Sequence, residues 1–255
     1  MRNRVFIRKQ FAEHKEQLTS LLDTFDYPNN KLIYNGRNVI KGITLSDGLY
    51  VVVKAFKANN LFKAIIYTLF KNSKAKQAYS NGIRLEQAEI RTPKPIGYIE
   101  VYKGFLIHRT YLITEPTSLP PIKEQLIDAE PFNEQMTKDF ANFVATLHKK
   151  GILHKDLNNT NVLYNKSGNN YEFTLIDINR MHFVKPSDLS LNERYFNMTL
   201  FCADGPMFRL FLKSYMNECA LSQDECIKAL KRKKTHDNAY RLKKLLLHPS
   251  RWFNV

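Results

Sequence analysis

A chain of 255 residues, 44% hydrophobic and 25% charged, is long enough to bury a sizeable core in one domain or two closely joined lobes. Its net charge of +15 favours an anionic partner, and its three cysteines (Cys202, Cys219, Cys226) lack metal-ligand spacing. Their odd number, with no signal peptide, points to a reducing cytoplasm rather than a disulfide framework, and no apolar run approaches the ~20 residues of a membrane-spanning helix.

From the N-terminus, Phe11, Leu18, Leu21, Leu22 and Phe25 recur at helical spacing, which predicts an amphipathic helix over Lys9 to Phe25 before the turn Tyr27-Pro28-Asn29-Asn30. Lys31 to Tyr34, Asn38 to Leu45 and Tyr50 to Phe56 read as three antiparallel strands, joined by Asn35-Gly36-Arg37 and Ser46-Asp47-Gly48. In the third, Lys54 stands among residues that want burial, a costly place for an ammonium unless it meets an anion. An edge-strand lysine facing solvent is the plainer alternative.

Asn60 to Phe70 carries Leu61, Phe62, Ile65, Ile66, Leu69 and Phe70 on one stripe among lysines. This is either an interfacial helix on anionic lipid or a helix packed on its own sheet. No acidic residue occurs between Gly48 and Leu85, and a second basic cluster runs from Lys228 to Arg251. Both favour phospholipid head groups, a phosphorylated glycolipid or nucleic acid, against the alternative of solvated helix faces. The basic runs carry no repeated aromatic platform, so no nucleic-acid partner is expected.

A helix over Ser73 to Glu89 ends before Thr92-Pro93-Lys94-Pro95. Ile96 to Tyr102 and Phe105 to Thr114 complete a five-stranded sheet, and the proline-rich Glu115 to Pro121 reads as a hinge. The division is therefore 1–114, a hinge at 115–121, and a mainly helical 122–255. Beyond the hinge, Met136, Phe140, Phe143, Val144 and Leu147 define a buried helix stopped by Gly151. A hairpin through 166–170 follows, then helices opened by Gly205-Pro206 and by a capping box at Ser222 to Glu225.

The most informative stretch is His148 to Phe183. Its centre reads HKDLNNTNVLYN and then FTLIDINRM. Asp156 precedes Asn161 by five residues, and Asp177 ends an apolar strand. Phosphoryl transfer from a nucleotide needs this spacing: one carboxylate for the attacking hydroxyl, and an amide plus a carboxylate for magnesium.

On these motifs the sequence resembles the protein-kinase-like superfamily, and within it the lipopolysaccharide kinases that phosphorylate Kdo or heptose of the inner core. The likeness runs from about Gly36 to Leu247. It implies an α+β, protein-kinase-like bilobal fold, with a five-stranded antiparallel N-lobe sheet and a mainly helical C-lobe. It implies ATP and Mg2+ as cofactors and an anionic glycolipid acceptor met on an anionic membrane surface. The place implied is the cytoplasmic face of the inner membrane of a Gram-negative bacterium. Asp156 is implied as catalytic base with Asn158 beside it, and Asn161 and Asp177 as magnesium ligands. Lys54, Gly36, Arg37 and Glu115 are implied at the nucleotide. His154 is expected to shape the loop, and Lys155 and Arg180 are open to an anion or a local carboxylate.

Three departures qualify the resemblance. No G-x-G-x-x-G loop is present, Asn179 stands where a glycine is expected, and the helix Ser73 to Glu89 offers Gln77, or only late Glu86 and Glu89, as the partner of Lys54. Alternatives are a small-molecule or atypical protein kinase, and a weakly active pseudokinase serving as a membrane-associated binding module.

Overall fold

The computed structural model describes residues 1–57, 60–201, 203 and 205–247, and its chain divides into two units. The first holds Met1–Ser118 with Thr174–Arg180, the second Leu119–Phe173 with Met181–Val255.

In the first unit, β1 (Arg2–Ile7) is followed by a 3-10 turn and α1 (Lys15–Thr24). Then come β2 (Lys31–Asn35), β3 (Val39–Thr44), β4 (Tyr50–Phe56), α2 (Leu61–Leu69), α3 (Lys74–Gln87), β5 (Pro95–Lys103) and β6 (Leu106–Thr114). The strands form one antiparallel sheet in the order β1-β5-β6-β4-β3-β2. Val51, Val53 and Ala55 alternate inward along β4 and join Ile99, Tyr111 and Ile113 under Leu18, Leu21 and Phe25. Burying each such side chain is worth roughly 2 kcal/mol, which holds α1 to this face. Lys41 secures its end by donating to the Phe25 carbonyl at 2.9 Å, a cation at the negative pole of the helix. α3 packs on β5 and β6 through Ala75, Ala78, Gly82 and Leu85.

The sheet has six strands where five were expected. Arg2–Ile7 pairs along β5, with Phe6 opposite Tyr98 and stacked on its ring at 5.5 Å. Only Val5, Phe6 and Ile7 of this strand are apolar, so its pairing comes from the open edge of β5, 90 to 100 residues away in the chain, and not from a strong alternation of its own.

Thr174–Arg180 belongs to the first unit although the sequence division put it beyond the hinge. Leu175 N–H donates to Arg91 O at 2.9 Å, Thr92 Oγ1 to Leu175 O at 2.8 Å, and Asn81 Nδ2 to Ile178 O at 2.8 Å.

The second unit contains a short α4 (Lys123–Leu126), then α5 (Glu134–Lys149), β7 (Ile152–His154) and β8 (Val162–Ser167). β9 (Asn170–Leu175) pairs with β8 and carries the chain into Thr174 and Leu175. β10 (Met181–Phe183) pairs with β7, and α6 (Leu191–Thr199), α7 (Gly205–Cys219) and α8 (Gln223–Leu247) follow. The core gathers around Phe140, whose ring meets Phe173, Phe201 and Phe211 at 5.1–5.7 Å. The expected capping box at Ser222 is not reciprocal: the Glu225 carboxylate accepts from Tyr195 and Lys228 instead. The full box forms at Ser190 and Glu193, opening α6. Of the C-terminal basic run, Lys233 is buried, donating to Phe201 O and Asp237, while Arg251 and the side chain of Lys244 lie outside what is described. So does Cys202; Cys219 and Cys226 are free thiols.

Candidate active site

The first unit brings Lys54 and Asp177 together. β4 runs between β3 and β6 with Lys54 opposite Ile40 and Leu112, on the sheet face away from Val53 and Ala55. Its ammonium lies 2.6 Å from Asp177 Oδ1 and 5.3 Å from the Phe56 ring centroid. Asp177 adopts a left-handed backbone (φ 55), a conformation aspartate tolerates better than most residues. It turns the chain between buried Leu175 and buried Ile178 and leaves its carboxylate about a third accessible.

No glutamate of α3 pairs with Lys54 among the described contacts. Gln77 donates instead to the Asn72 carbonyl at 2.6 Å, Glu86 pairs with Arg8 at 3.0 Å, and Glu89 lies past the helix with φ 57. What α3 contributes is a cation. Lys74 opens the helix immediately after the N-cap Ser73, and burial together with the charges of Arg37, Lys63 and Lys54 holds its pKa below the usual lysine value, while Asp177 opposes this. Several ammonium and guanidinium groups near one carboxylate, with a positive helix terminus behind one of them, are short of negative charge. Ser73 is itself fixed by donating at 2.6 Å to Glu100, a buried carboxylate on β5.

Gly36 and Arg37 occupy the exposed turn between β2 and β3, where Gly36 N–H donates to Asn38 O at 3.1 Å and the Tyr34 ring fills the space a side chain on Gly36 would need. Glu115 follows β6 and donates its N–H to Lys94 O at 2.9 Å.

In the second unit, the segment after β7 is braced by its own side chains. Asp156 N–H donates to His154 Nδ1 at 3.1 Å, and its carboxylate accepts from Asn158 Nδ2 at 3.2 Å. Asn158 Oδ1 accepts from Thr160 N–H, Thr160 Oγ1 and Asn161 N–H at 2.6–3.2 Å, closing the turn. Asn161 Nδ2 donates to the Asp156 carbonyl at 2.9 Å, which commits the amide nitrogen to the loop and leaves Oδ1 as its other functional atom. Lys155 is exposed and lowers the pKa of Glu193 along with His182, after the hydrogen bonds from Ser190.

A buried polar chain supports this loop, and the sequence offered no sign of it. His148 Nδ1 meets Tyr215 OH at 2.8 Å, and its Nε2 meets Asn197 Oδ1 at 3.0 Å. Asn197 Nδ2 then donates to His154 O at 2.8 Å. Both histidines are fully buried, and burial pulls His148 down to about 4, so it is neutral at physiological pH. With Nε2–H donating to Asn197, Nδ1 accepts from the Tyr215 hydroxyl, whose own pKa burial pushes up. His154, held at its carbonyl by Asn197, accepts the Asp156 N–H at Nδ1 and so links this buried chain to the loop.

Each unit carries a hard oxygen donor of the kind Mg2+ takes, the Asp177 carboxylate in the first and the Asn161 amide oxygen in the second. In the first unit, Lys54 and the cations around Lys74 are the chemistry that suits phosphate oxygens.

The chain is similar to known proteins in fold and in sequence. A solved structure described as WaaP in complex with acyl carrier protein shares the fold with a TM-score of 0.54 at 16% identity, over 90% of this chain and 99% of that one. The serine/threonine-protein kinase kin-29 of Caenorhabditis elegans is 31% identical over 140 residues, which is 48% of this chain and 17% of kin-29, so the chain spans about a sixth of that curated relative. The model of the lipopolysaccharide kinase (Kdo/WaaP) family matches residues 49–188, a segment that holds Lys54, Asp156, Asn161 and Asp177. Because that match covers more than half of the sequence, the chain belongs to the lipopolysaccharide kinase (Kdo/WaaP) family.

Proposed function

We propose that the chain is an ATP- and Mg2+-dependent kinase that phosphorylates a hydroxyl of Kdo or heptose in the lipid A-linked core of lipopolysaccharide. The observation that supports this reading is the Lys54–Asp177 contact at 2.6 Å, which holds a strand ammonium beside a carboxylate within the family segment; in it we assign Lys54 to phosphate and Asp177 to the metal. The two units serve in it as the lobes of a protein-kinase-like fold.

Asp156 has the role of orienting the acceptor hydroxyl and accepting its proton. Its carboxylate is kept in place by Asn158 and by the backbone bond to His154, so little reorganisation is needed when the acceptor arrives. Lys54 and Arg37 hold the nucleotide phosphates, with Glu115 further along at the nucleotide. Magnesium, when bound through Asn161 and Asp177, supplies charge neutralisation on those phosphates. Asn158 retains one amide hydrogen for the transferring phosphoryl group.

A lipid-linked acceptor places the work at the cytoplasmic face of a Gram-negative inner membrane, and the +15 charge supports an anionic surface there. The test is incubation of the purified protein with Mg-ATP and Kdo-bearing lipid A, with mass spectrometry for one added phosphate. Transfer by the wild type and none by Asp156→Ala or Asp177→Ala is expected. ATP binding without transfer to this lipid or to heptose-bearing core would redirect the search to another acceptor.

A further inference from the structure

We infer that α2 and the turn between β5 and β6 form one docking surface for an anionic phospholipid bilayer. The orientation of α2 is set by its inner side: Ala64 is buried, and Thr68 Oγ1 accepts from the Ile107 N–H of β6 at 2.9 Å. The same helix is capped by Asn60, whose Oδ1 accepts from Lys63 N–H at 3.0 Å. Its outer side carries Leu61, Ile65 and Leu69 at steps of four residues with Phe62 beside them, and Phe62 is 72% exposed. A helix that turns such residues to water and an alanine inward reverses the pattern of a helix serving only its own core.

The apolar surface continues onto a second element. Phe105 sits at the tip of the β5–β6 turn with 92% of its surface exposed, two residues from the Ile107 amide that Thr68 engages. Lys57, Lys63 and Lys71, all exposed, flank α2 in a stretch where no acidic residue occurs from Gly48 to Leu85, and exposed Lys103 stands two residues before Phe105. Large apolar side chains flanked by lysines match the boundary between acyl chains and anionic head groups, where ammonium groups on long stems reach phosphates while the rings enter the hydrocarbon. No helix among the described residues is long and apolar enough to cross a membrane, so the surface lies on the bilayer rather than through it. Its use in presenting a lipid-linked acceptor rests on the kinase reading; binding to the bilayer does not.

The test is flotation of the whole chain, without ATP or acceptor, on vesicles of phosphatidylglycerol and phosphatidylethanolamine against vesicles of phosphatidylcholine. Wild type should float with the anionic vesicles. Phe62→Asp combined with Leu69→Asp should lower partitioning by at least about tenfold and Phe105→Asp severalfold, as expected for losing one or two buried apolar side chains. As a second readout, Phe62→Trp on a Trp252→Phe background should shift its emission to the blue on anionic vesicles and be quenched by brominated lipid. Unchanged flotation of the aspartate variants, or a tryptophan at position 62 that vesicles neither shift nor quench, would overturn the proposal. So would a dimer, or a complex with an acidic protein, that Phe62→Asp dissociates while vesicle binding persists. Absence of phosphoryl transfer in the separate assay would sink the kinase reading and leave flotation as it was measured.

Discussion

The ammonium of Lys54 and the carboxylate of Asp177, 123 residues apart in the chain, meet at 2.6 Å within the first unit. In this arrangement the strand lysine is held by the carboxylate proposed for the metal, while α3 presents Lys74 rather than a glutamate. Lys54→Met and Asp177→Asn are each expected to lower kcat/KM by on the order of a hundredfold or more, the usual loss when one preorganised charge is removed from a reacting phosphate. The pair retains solvent contact, so its net contribution to stability is at most about 1 kcal/mol and thermal midpoints should move by only a few degrees. A Lys54→Met enzyme with full turnover would take this lysine out of the site.

Lys74→Ala separates nucleotide binding from folding. The substitution removes a cation that repels Lys54, Arg37 and Lys63 and that sits at the positive pole of α3. Stability should hold or rise slightly, whereas the KM for ATP should increase severalfold. An unchanged KM would mean that the cation does not reach the phosphates.

The buried His148 makes stability depend on pH in a defined window. The unfolded chain takes up a proton at its imidazole near 6.5, the folded chain only near 4. Between those values the unfolded state binds more protons, so stability from this group falls as pH drops from about 6.5 to 4, by up to roughly 3 kcal/mol. Urea midpoints at pH 7, 5.5 and 4.5 should show this loss, and His148→Gln should flatten it. The same variant should lower kcat more than it changes the KM for ATP, since Asn197 would lose the partner that aligns it on His154.

Two glycines with positive φ should respond differently to alanine. Gly151 (φ 70) ends α5, and a Cβ there would lie 2.2 Å from the Val184 carbonyl, a backbone atom tied in turn by Val184 N–H to Gly151 O. Gly168 (φ 60) in the β8–β9 turn has nothing near it. Gly168→Ala should cost about 1 kcal/mol from backbone strain, and Gly151→Ala at least about twice that, because Val184 and β10 must move as well. Chemical denaturation of both variants measures the difference, and equal costs would refute the close contact.

Much of the architecture was legible from local pattern. The strands around Lys31, Asn38, Tyr50, Ile96 and Phe105 and the helices around Leu61, Ala78 and Phe140 lie within a few residues of where apolar periodicity and Gly-Pro punctuation put them. The cluster Asp156, Asn158, Asn161 was equally legible, because its hydrogen bonds close within six residues. β1 was not, since half of it is Arg2-Asn3-Arg4 and its partner β5, adjacent in the sheet, is far away along the chain.

The sequence by itself determined the family segment, the motif spacing and the charge asymmetry, all of which are contiguous along the chain. Only the tertiary structure decided what Lys54 touches, that Gln77 and Glu86 are engaged elsewhere, that Thr174–Arg180 groups with the sheet, and that Tyr215, His148 and Asn197 support His154. These contacts join residues far apart in the chain, where no periodicity records the pairing, and each partner was chosen by which polar groups remained to be satisfied once the apolar faces had packed.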